Sequence, residues 1–313
     1  MKTPARMLLL GPQRPVQNLG RTFAAAGFPE GPVAVISAGM QEAEGYNDHI
    51  QEAIGRPLVD LELYQRAEQL LHKDSQFHEA YRARQEKFME LQRLYRRRLR
   101  PLALAVRDMY RTVGDASLLA PERRHALSQL RALDQHHLHR IEQIHAEFEA
   151  QYDPANFEPL AEQQADIEQK LSQCGTLLIT GGNVIILVNR MRMFGLGRML
   201  QQRPLVAFSA GAMVLTDRII LFHDRTPQGR RDPEVLSAGF GLLPGYLFLP
   251  DAERRLRVGD RMRTGLLKLR MSPDICLALD NGSAAEFENT RLVAAENIRL
   301  VNRSGGLEQV EAA

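Results

Sequence analysis

The chain has 313 residues, a formal net charge of +2, 44% hydrophobic residues and 25% charged residues. These values are ordinary for a globular protein of one large or two smaller domains, and they give no indication of nucleic-acid or membrane binding. The two cysteines, Cys174 and Cys276, lack a metal-ligand spacing, which argues against a disulfide scaffold and a zinc site. The apolar run near the N-terminus is too short for a signal peptide. We therefore expect a cytoplasmic protein that needs no cofactor.

Residues 6–64 alternate between short apolar runs and helical patterns. The runs RMLLLGP, PVAVISAG and PLVDLELY predict three buried strands of a parallel sheet. The segments NLGRTFAAAG and NDHIQEAIG between them predict helices that end at glycine. This βαβαβ order predicts right-handed crossovers and a doubly wound sheet.

Strand patterns stop between residues 65 and 173, where two apolar seams predict a pair of long antiparallel helices. In the first seam, Arg84 stands where an apolar residue would continue the pattern. The seam residues are Phe77, Tyr81, Phe88, Leu91 and Tyr95 in the first helix, and Leu130, Leu133, His137, Ile141, Ile144 and Phe148 in the second. A 35-residue helix is about 50 Å long, so we expect this hairpin to project from the core. A third helix is predicted after Pro154.

Strand patterns resume at GTLLITGGN and continue through PLVAFSAG, IILFHD, YLFLP, DICLALD, SAAEFEN and NIRLVNR. The last residues, GGLEQVEAA, are predicted to be frayed. The predicted fold is a flavodoxin-like, doubly wound, mostly parallel α/β sheet built from residues 1–64 and 174–313. Residues 65–173 form a coiled-coil-like helical hairpin inserted into it.

Ser209 follows a buried strand and precedes a run of small residues, as in RPLVAFSAGAMVLTDRI. A nucleophile elbow needs small residues two before and two after the serine, and here they are Ala207 and Gly211. The tripeptide Ser-Ala-Gly also begins at Ser37 and Ser237, but neither combines a strand with a helix start. A simple tight turn remains the alternative for Ser209.

The preceding strand ends in Gly181-Gly182-Asn183, so both loops are expected at the carboxyl edge of the sheet, where ligands bind. Backbone amides of this loop, together with that of Ala210, could form an oxyanion hole. Arg14 follows the first strand at the same edge and is a candidate for binding a substrate carboxylate; a surface salt bridge is the alternative.

The GGN loop, the AFSAGA turn and the later GFGLLPG segment resemble peptidase family S51, the group of dipeptidase E and cyanophycinase, which has a class I glutamine-amidotransferase-like fold. The resemblance covers roughly residues 6–64 and 175–290. It implies a serine peptidase that acts on small aspartyl or β-aspartyl peptides. Serine rather than cysteine at position 209 argues against a glutamine amidotransferase.

The resemblance places the catalytic acid at Asp224, but Asp251 stands where the family has its histidine, and no histidine follows His223. Three alternatives stay open. His223 could serve as the base in place of Asp224, or a histidine could come from the insertion or a partner chain. Otherwise the chain is a catalytically inactive relative that binds ligands or assembles with partners.

The insertion offers no metal site by sequence, because the Glu122–His125 and Glu142–His145 pairs lie about 30 Å apart along one helix. The basic cluster between Arg93 and Arg100 is expected to form ion pairs rather than bind nucleic acid. The two seams leave out Leu71, Leu94, Leu99 and Leu138. We therefore expect a homodimer through the insertion, with a lid over Ser209 as the alternative.

Overall fold

The structure is a computed structural model that describes residues 6–222 and 232–310. The first part contains β1 (Arg6–Leu10), α1 (Leu19–Ala26), β2 (Val33–Ile36), α2 (Asp48–Ile54) and β3 (Leu58–Asp60). The helices that follow are α3 (Leu63–Lys73), α4 (Ser75–Arg111), α5 (Ala116–Gln151) and α6 (Glu158–Ser172).

The chain then returns to alternating strands and helices. These are β4 (Thr176–Ile179), α7 (Val184–Met193), α8 (Leu196–Met199), β5 (Leu205–Phe208), α9 (Ala210–Met213), β6 (Arg218–Leu221), β7 (Glu234–Ala238), β8 (Tyr246–Pro250), α10 (Ala252–Arg255), α11 (Arg261–Met271), β9 (Ile275–Leu279), β10 (Ala284–Glu288), β11 (Arg291–Glu296), β12 (Arg299–Val301) and β13 (Leu307–Gln309).

The central sheet has seven strands in the order β11-β10-β1-β5-β4-β2-β3. The five strands from β1 to β3 in this order are parallel, and β10 and β11 add an antiparallel edge. A smaller sheet has the order β13-β12-β9-β8, and β6 pairs with β7 as a separate hairpin. The predicted fold class, a mostly parallel α/β sheet with a large helical insertion, is confirmed.

The two faces of the central sheet are covered differently. On β1, Leu8 and Leu10 face a core formed with α1 and α2, whereas Met7 and Leu9 face the larger core that includes the insertion and α7. Adjacent strand residues point to opposite faces, and both faces are apolar because helices cover both. This explains why the parallel strands appear as continuous apolar runs in the sequence.

The second predicted seam is confirmed, since all six of its side chains on α5 are buried. The first seam holds in part. Phe77, Tyr81 and Tyr95 are buried, but Phe88 and Leu91 are only partly buried, and the buried stripe continues to Leu99, Ala103 and Val106. Of the leucines outside the seams, Leu99 is buried, Leu71 and Leu138 pack against the core, and Leu94 is 45% exposed.

The expectation that the hairpin projects from the core is wrong, because a buried polar network fastens it to α11. The Arg270 guanidinium donates to both carboxylate oxygens of Asp134 on α5, at 2.6 and 2.7 Å, and the Tyr95 hydroxyl on α4 donates to Asp134 at 2.8 Å. Both charged side chains are only 4% exposed. The hairpin also contacts β7, where Arg96 of α4 forms an ion pair with Glu234 at 2.7 Å.

Three strands were not anticipated. Ser237 lies in β7, β11 pairs beside β10, and Leu307–Gln309 forms β13 instead of a frayed tail. These strands are short or partly exposed, so they lack the apolar runs by which buried strands are recognised. No helix within residues 6–222 and 232–310 has the length and apolar character needed to cross a membrane.

Candidate active site

Ser209 lies at the carboxyl end of β5, immediately before α9, with an unusual backbone conformation. Its φ is 52° and its ψ is −116°, and its amide donates to the Leu10 carbonyl oxygen at 3.1 Å. For a residue other than glycine, this backbone conformation costs roughly 1–3 kcal/mol, and it persists only where the surrounding structure enforces it. The residue is partly exposed.

The neighbours of Ser209 are small because the backbone segments approach closely. A methyl group placed on Gly211 would lie 2.3 Å from the Ile179 carbonyl oxygen, which no other residue can tolerate. One placed on Gly181 would lie 3.0 Å from the Ser209 Cβ and 3.6 Å from its Oγ. The serine hydroxyl therefore faces the loop that follows β4.

The loop Gly181–Asn183 is held against the segment that follows β2. Gly182 has a φ of 108°, and a methyl group there would lie 2.2 Å from the Gly39 carbonyl oxygen. The same oxygen accepts from the Asn183 amide at 2.7 Å. The Asn183 side-chain oxygen accepts from the amides of Ile185 and Ile186 and so caps α7. The backbone amide and the side-chain oxygen of Asn183 are thus engaged within the protein.

Three backbone amides around the serine remain available. Among residues 6–222 and 232–310, no protein group accepts a hydrogen bond from the amides of Gly181, Gly182 or Ala210. Unpaired amides beside an exposed hydroxyl can donate to a substrate oxygen that acquires negative charge. Ala210 is also the first residue of α9, where helix amides lack partners within the helix.

Asp251 reaches the same edge of the molecule through the smaller sheet. It follows β8 with a φ of 60°, and its amide donates to the Leu279 oxygen at 3.0 Å. Asp280, which follows Leu279, packs closely against Gly11 at the end of β1. A methyl group placed on Gly11 would lie only 1.9 Å from the Asp280 carbonyl oxygen. The Asp251 carboxylate pairs with Arg254 at 3.0 Å and Arg255 at 3.7 Å.

The described residues provide no base for Ser209. No side chain within the two described ranges forms a hydrogen bond with the Ser209 hydroxyl. His223 and Asp224 lie outside the described residues. Arg14 is exposed in the loop after β1.

Sequence reasoning missed two residues that shape this edge. Gly39 receives the Gly181–Asn183 loop, and Gln13 fixes the loop after β1 by donating to the Gly11 oxygen at 3.0 Å and accepting from the Leu19 amide at 2.9 Å. The sequence feature that could have indicated Gly39 is the Ser-Ala-Gly tripeptide that begins at Ser37 and ends at this glycine. Ser37 itself is fully buried, and its hydroxyl donates to Asp60 at 3.0 Å, which is a structural role.

No cluster of potential metal ligands is found in the part of the chain that the structure describes. Glu142 pairs with Arg192 at 2.9 Å. His145 is buried against Phe88, with ring centroids 4.7 Å apart, and burial lowers its pKa to about 2.

Comparison with solved structures finds distant resemblances. A peptidase from an acI-B1 Actinobacterium is 12% identical, covers 99% of this chain and 96% of its own, and has a TM-score of 0.46. A candidate peptidase E protein from Listeria monocytogenes EGD-e is 9% identical, covers 93% of this chain and 97% of its own, and has a TM-score of 0.45. Comparison with curated proteins gives no match.

The sequence profile of peptidase family S51 matches residues 130–294. The match begins within α5 and ends in β11, so it includes part of the helical insertion. It contains every candidate residue at the carboxyl edge except Arg14, which precedes it. It spans more than half of the chain, and we conclude that this protein belongs to peptidase family S51.

Proposed function

We propose that the chain is a serine hydrolase that cleaves small aspartyl or β-aspartyl peptides, with Ser209 as the nucleophile. The observation that carries the proposal is the backbone of Ser209, with φ 52° and ψ −116°. This conformation costs free energy, and glycine would adopt it more easily than serine. A site that needed only a turn would have no reason to keep a hydroxyl there.

In the proposed reaction, the Ser209 hydroxyl attacks the scissile carbonyl carbon. The amides of Gly181, Gly182 and Ala210 stabilise the negative charge that develops on the carbonyl oxygen. The serine proton passes to a base and then to the leaving amine. His223 is assigned as this base, with Asp224 beside it in sequence, because a carboxylate such as Asp251 is a much weaker base than an imidazole.

Substrate selection is assigned to Arg14, which lies on the loop after β1. Its side chain is exposed and has no ion-pair partner within residues 6–222 and 232–310. A guanidinium binds a carboxylate through two parallel hydrogen bonds, which suits an aspartyl side chain.

A second candidate function is ligand binding without hydrolysis. Asp251 occupies the position of the family's histidine, and it is engaged with Arg254 and Arg255. In that case the strained turn would be inherited from a catalytic relative.

A fluorophosphonate probe distinguishes the two functions. We expect labelling of the wild type that is lost in Ser209→Ala and strongly reduced in His223→Gln. Ser237→Ala is the matched control, because it alters the same tripeptide at a buried serine whose hydroxyl has no partner among the described residues. Absence of labelling from mildly acidic to mildly basic pH would favour the binding protein. Hydrolysis of aspartyl-alanine but not alanyl-alanine, with the preference lost in Arg14→Gln, tests the substrate class.

The homodimer through the insertion stays a prediction. The hairpin exposes Met89, Leu94 and Leu118, at 66%, 45% and 69%. If these side chains form the interface, Leu94→Glu should convert a dimer to a monomer in light scattering. An unchanged dimer would assign the interface elsewhere.

A further inference from the structure

The guanidinium of Arg84 on α4 is buried, and among the described residues it has no ion-pair partner. The residue is only 4% exposed, and within residues 6–222 and 232–310 neither its Nε nor its Nη2 has a hydrogen-bond partner. Within residues 6–222 and 232–310, no carboxylate oxygen lies within 4.0 Å of it. Two other arginines are equally buried, and both are paired: Arg190 with Glu68 at 2.6 Å and Arg270 with Asp134 at 2.6 Å. A buried charge without a counterion is costly, so Arg84 calls for an explanation.

Aromatic rings fix the position of this guanidinium. Its central carbon lies 4.0 Å from the centre of the Phe148 ring, 4.7 Å from that of Tyr81 and 5.9 Å from that of Phe88. Such rings attract a cation but accept no hydrogen bond in the plane of the guanidinium. The N–H groups at Nε and Nη2 are thus left without an acceptor among the described residues, and an anion bound beside them would supply one. Burial lowers the pKa of Arg84, because desolvation outweighs the opposing effects of Tyr81 and Glu149.

Arg84 lines a cavity of about 990 Å³ between the insertion and the end of α7. This cavity is separate from the Ser209 site. Helix α7 begins at Val184, after the loop that faces Ser209, and ends at Met193, which lines the cavity. At 1.5 Å per residue, the two sites lie about 15 Å apart along this helix.

The charges around the cavity restrict the ligand. Glu142 is paired with Arg192, but Glu149 approaches Arg192 only to 3.9 Å, and Glu168 forms no ion pair within the described residues. Asp153 and Arg198 also line the cavity, so its lining carries four carboxylates and three guanidinium groups. These carboxylates would repel a phosphate, which carries more than one negative charge. A carboxylate that is joined to an ammonium group satisfies both Arg84 and the acidic residues.

We propose that this cavity binds a small zwitterion, an amino acid or short peptide, whose carboxylate pairs with Arg84 and whose ammonium group lies against Glu149 and Glu168. The cavity is large enough for a di- or tripeptide. The site does not depend on hydrolysis at Ser209, so it can be tested in a chain that lacks the hydroxyl. Because its walls come from both α5–α6 and α7, an occupant would connect the insertion with the α/β sheet.

The test is calorimetric titration of Ser209→Ala protein with L-alanyl-L-alanine, its N-acetyl form, its C-terminal amide and inorganic phosphate. We expect saturable binding of the dipeptide. Loss of the carboxylate in the amide, or Arg84→Gln in the protein, should weaken binding about 10-fold or more, as for a charged hydrogen bond. Arg82→Gln is the matched control, since Arg82 is exposed on the same helix and pairs with Glu86. Arg84→Lys should retain part of the affinity.

A second pair of measurements does not depend on substituting a buried residue. Glu149→Gln/Glu168→Gln alters partly or fully exposed side chains and should weaken binding of the free dipeptide while leaving the N-acetyl form unchanged. The proposal is overturned if no ligand saturates the protein, if Arg84→Gln binds as the parent does, or if phosphate binds more tightly than the dipeptide. It is also overturned if Glu149→Gln lowers stability without affecting binding, because Glu149 would then be the partner of Arg84.

Discussion

The buried pair between Asp134 and Arg270 should stabilise the docked insertion only while both charges are present. Each side chain is 4% exposed, and two hydrogen bonds of 2.6 and 2.7 Å join them. Removing one partner leaves a buried charge, which costs about 3–5 kcal/mol. We therefore expect Asp134→Leu and Arg270→Met each to lower the free energy of unfolding by this amount.

The double variant should be less destabilised than either single variant, because it leaves no unpaired charge. The Tyr95 hydroxyl loses Asp134 as its acceptor, but it still accepts from the Val235 amide at 3.2 Å. A remaining cost of about 1–3 kcal/mol is expected from this hydroxyl and from imperfect packing. The coupling energy of the cycle would then be at least about 3 kcal/mol.

Urea unfolding followed by circular dichroism measures the four free energies. The surface pair Glu90 and Arg93 serves as the control, since both side chains are about half exposed and their removal should change stability little. If the double variant loses the sum of the two single losses, the charges are not coupled, and the reasoning about this contact fails.

Three further predictions concern single side chains. Ser209→Gly should abolish probe labelling. Its free energy of unfolding in urea should nevertheless exceed that of Ser209→Ala by about 1 kcal/mol, because glycine relieves the strained backbone. Burial raises the pKa of Glu44 to about 7, so its contribution to stability is present below its ordinary pKa and is lost as pH rises through 7. Glu44→Gln should remove that loss in urea titrations at pH 5 and pH 8. Burial lowers the pKa of His145 to about 2, so its contribution is lost as the pH falls below its ordinary value. His145→Phe should reduce the loss of stability between pH 7 and pH 4.

Each of these has a result that would contradict it. Equal urea midpoints for glycine and alanine at position 209 would mean that the turn is not strained. A Glu44→Gln chain with the same pH slope as the wild type would show that Glu44 is ionised throughout. If His145→Phe proves as sensitive to acid as the wild type, other groups control acid unfolding, and His137, whose pKa burial lowers to about 4, is the next to substitute.

The parallel strands could be predicted because they are buried on both faces. Continuous apolar runs such as RMLLL require little else to identify them. The edge strand β11 has exposed or partly exposed side chains throughout, so no pattern marked it. The length of α4 was correctly predicted from the sequence, but the packing of the hairpin against α11 was not. The contact with α11 depends on Asp134, Tyr95 and Arg270, which are far apart in sequence and look like ordinary surface residues.

At the candidate site, the turn at Ser209 could be predicted from its neighbours in sequence, whereas contacts between residues that are distant in sequence could not. The turn at Ser209 follows from small neighbours, because only they allow the close approach to Ile179. The side-chain cap of Asn183 on α7 is typical of asparagine before a helix, whereas the hydrogen bond from its amide to the Gly39 oxygen joins two separate loops and follows from no motif. Arg84 illustrates the converse: a gap in an apolar seam was visible in sequence, but its missing counterion was not.

The position of β1 in the central sheet has a consequence for the order in which the chain folds. This strand pairs with β5 on one side and with β10 on the other, so Leu9 lies opposite Ala207 and Ala285. As the protein is synthesised, the helices of the insertion have their partners nearby and can form early, whereas β1 waits for segments made much later. Until residues 284–288 leave the ribosome, an apolar strand has an open edge that invites pairing with other chains. The open edge of β1 therefore needs protection from other chains while the protein is being made.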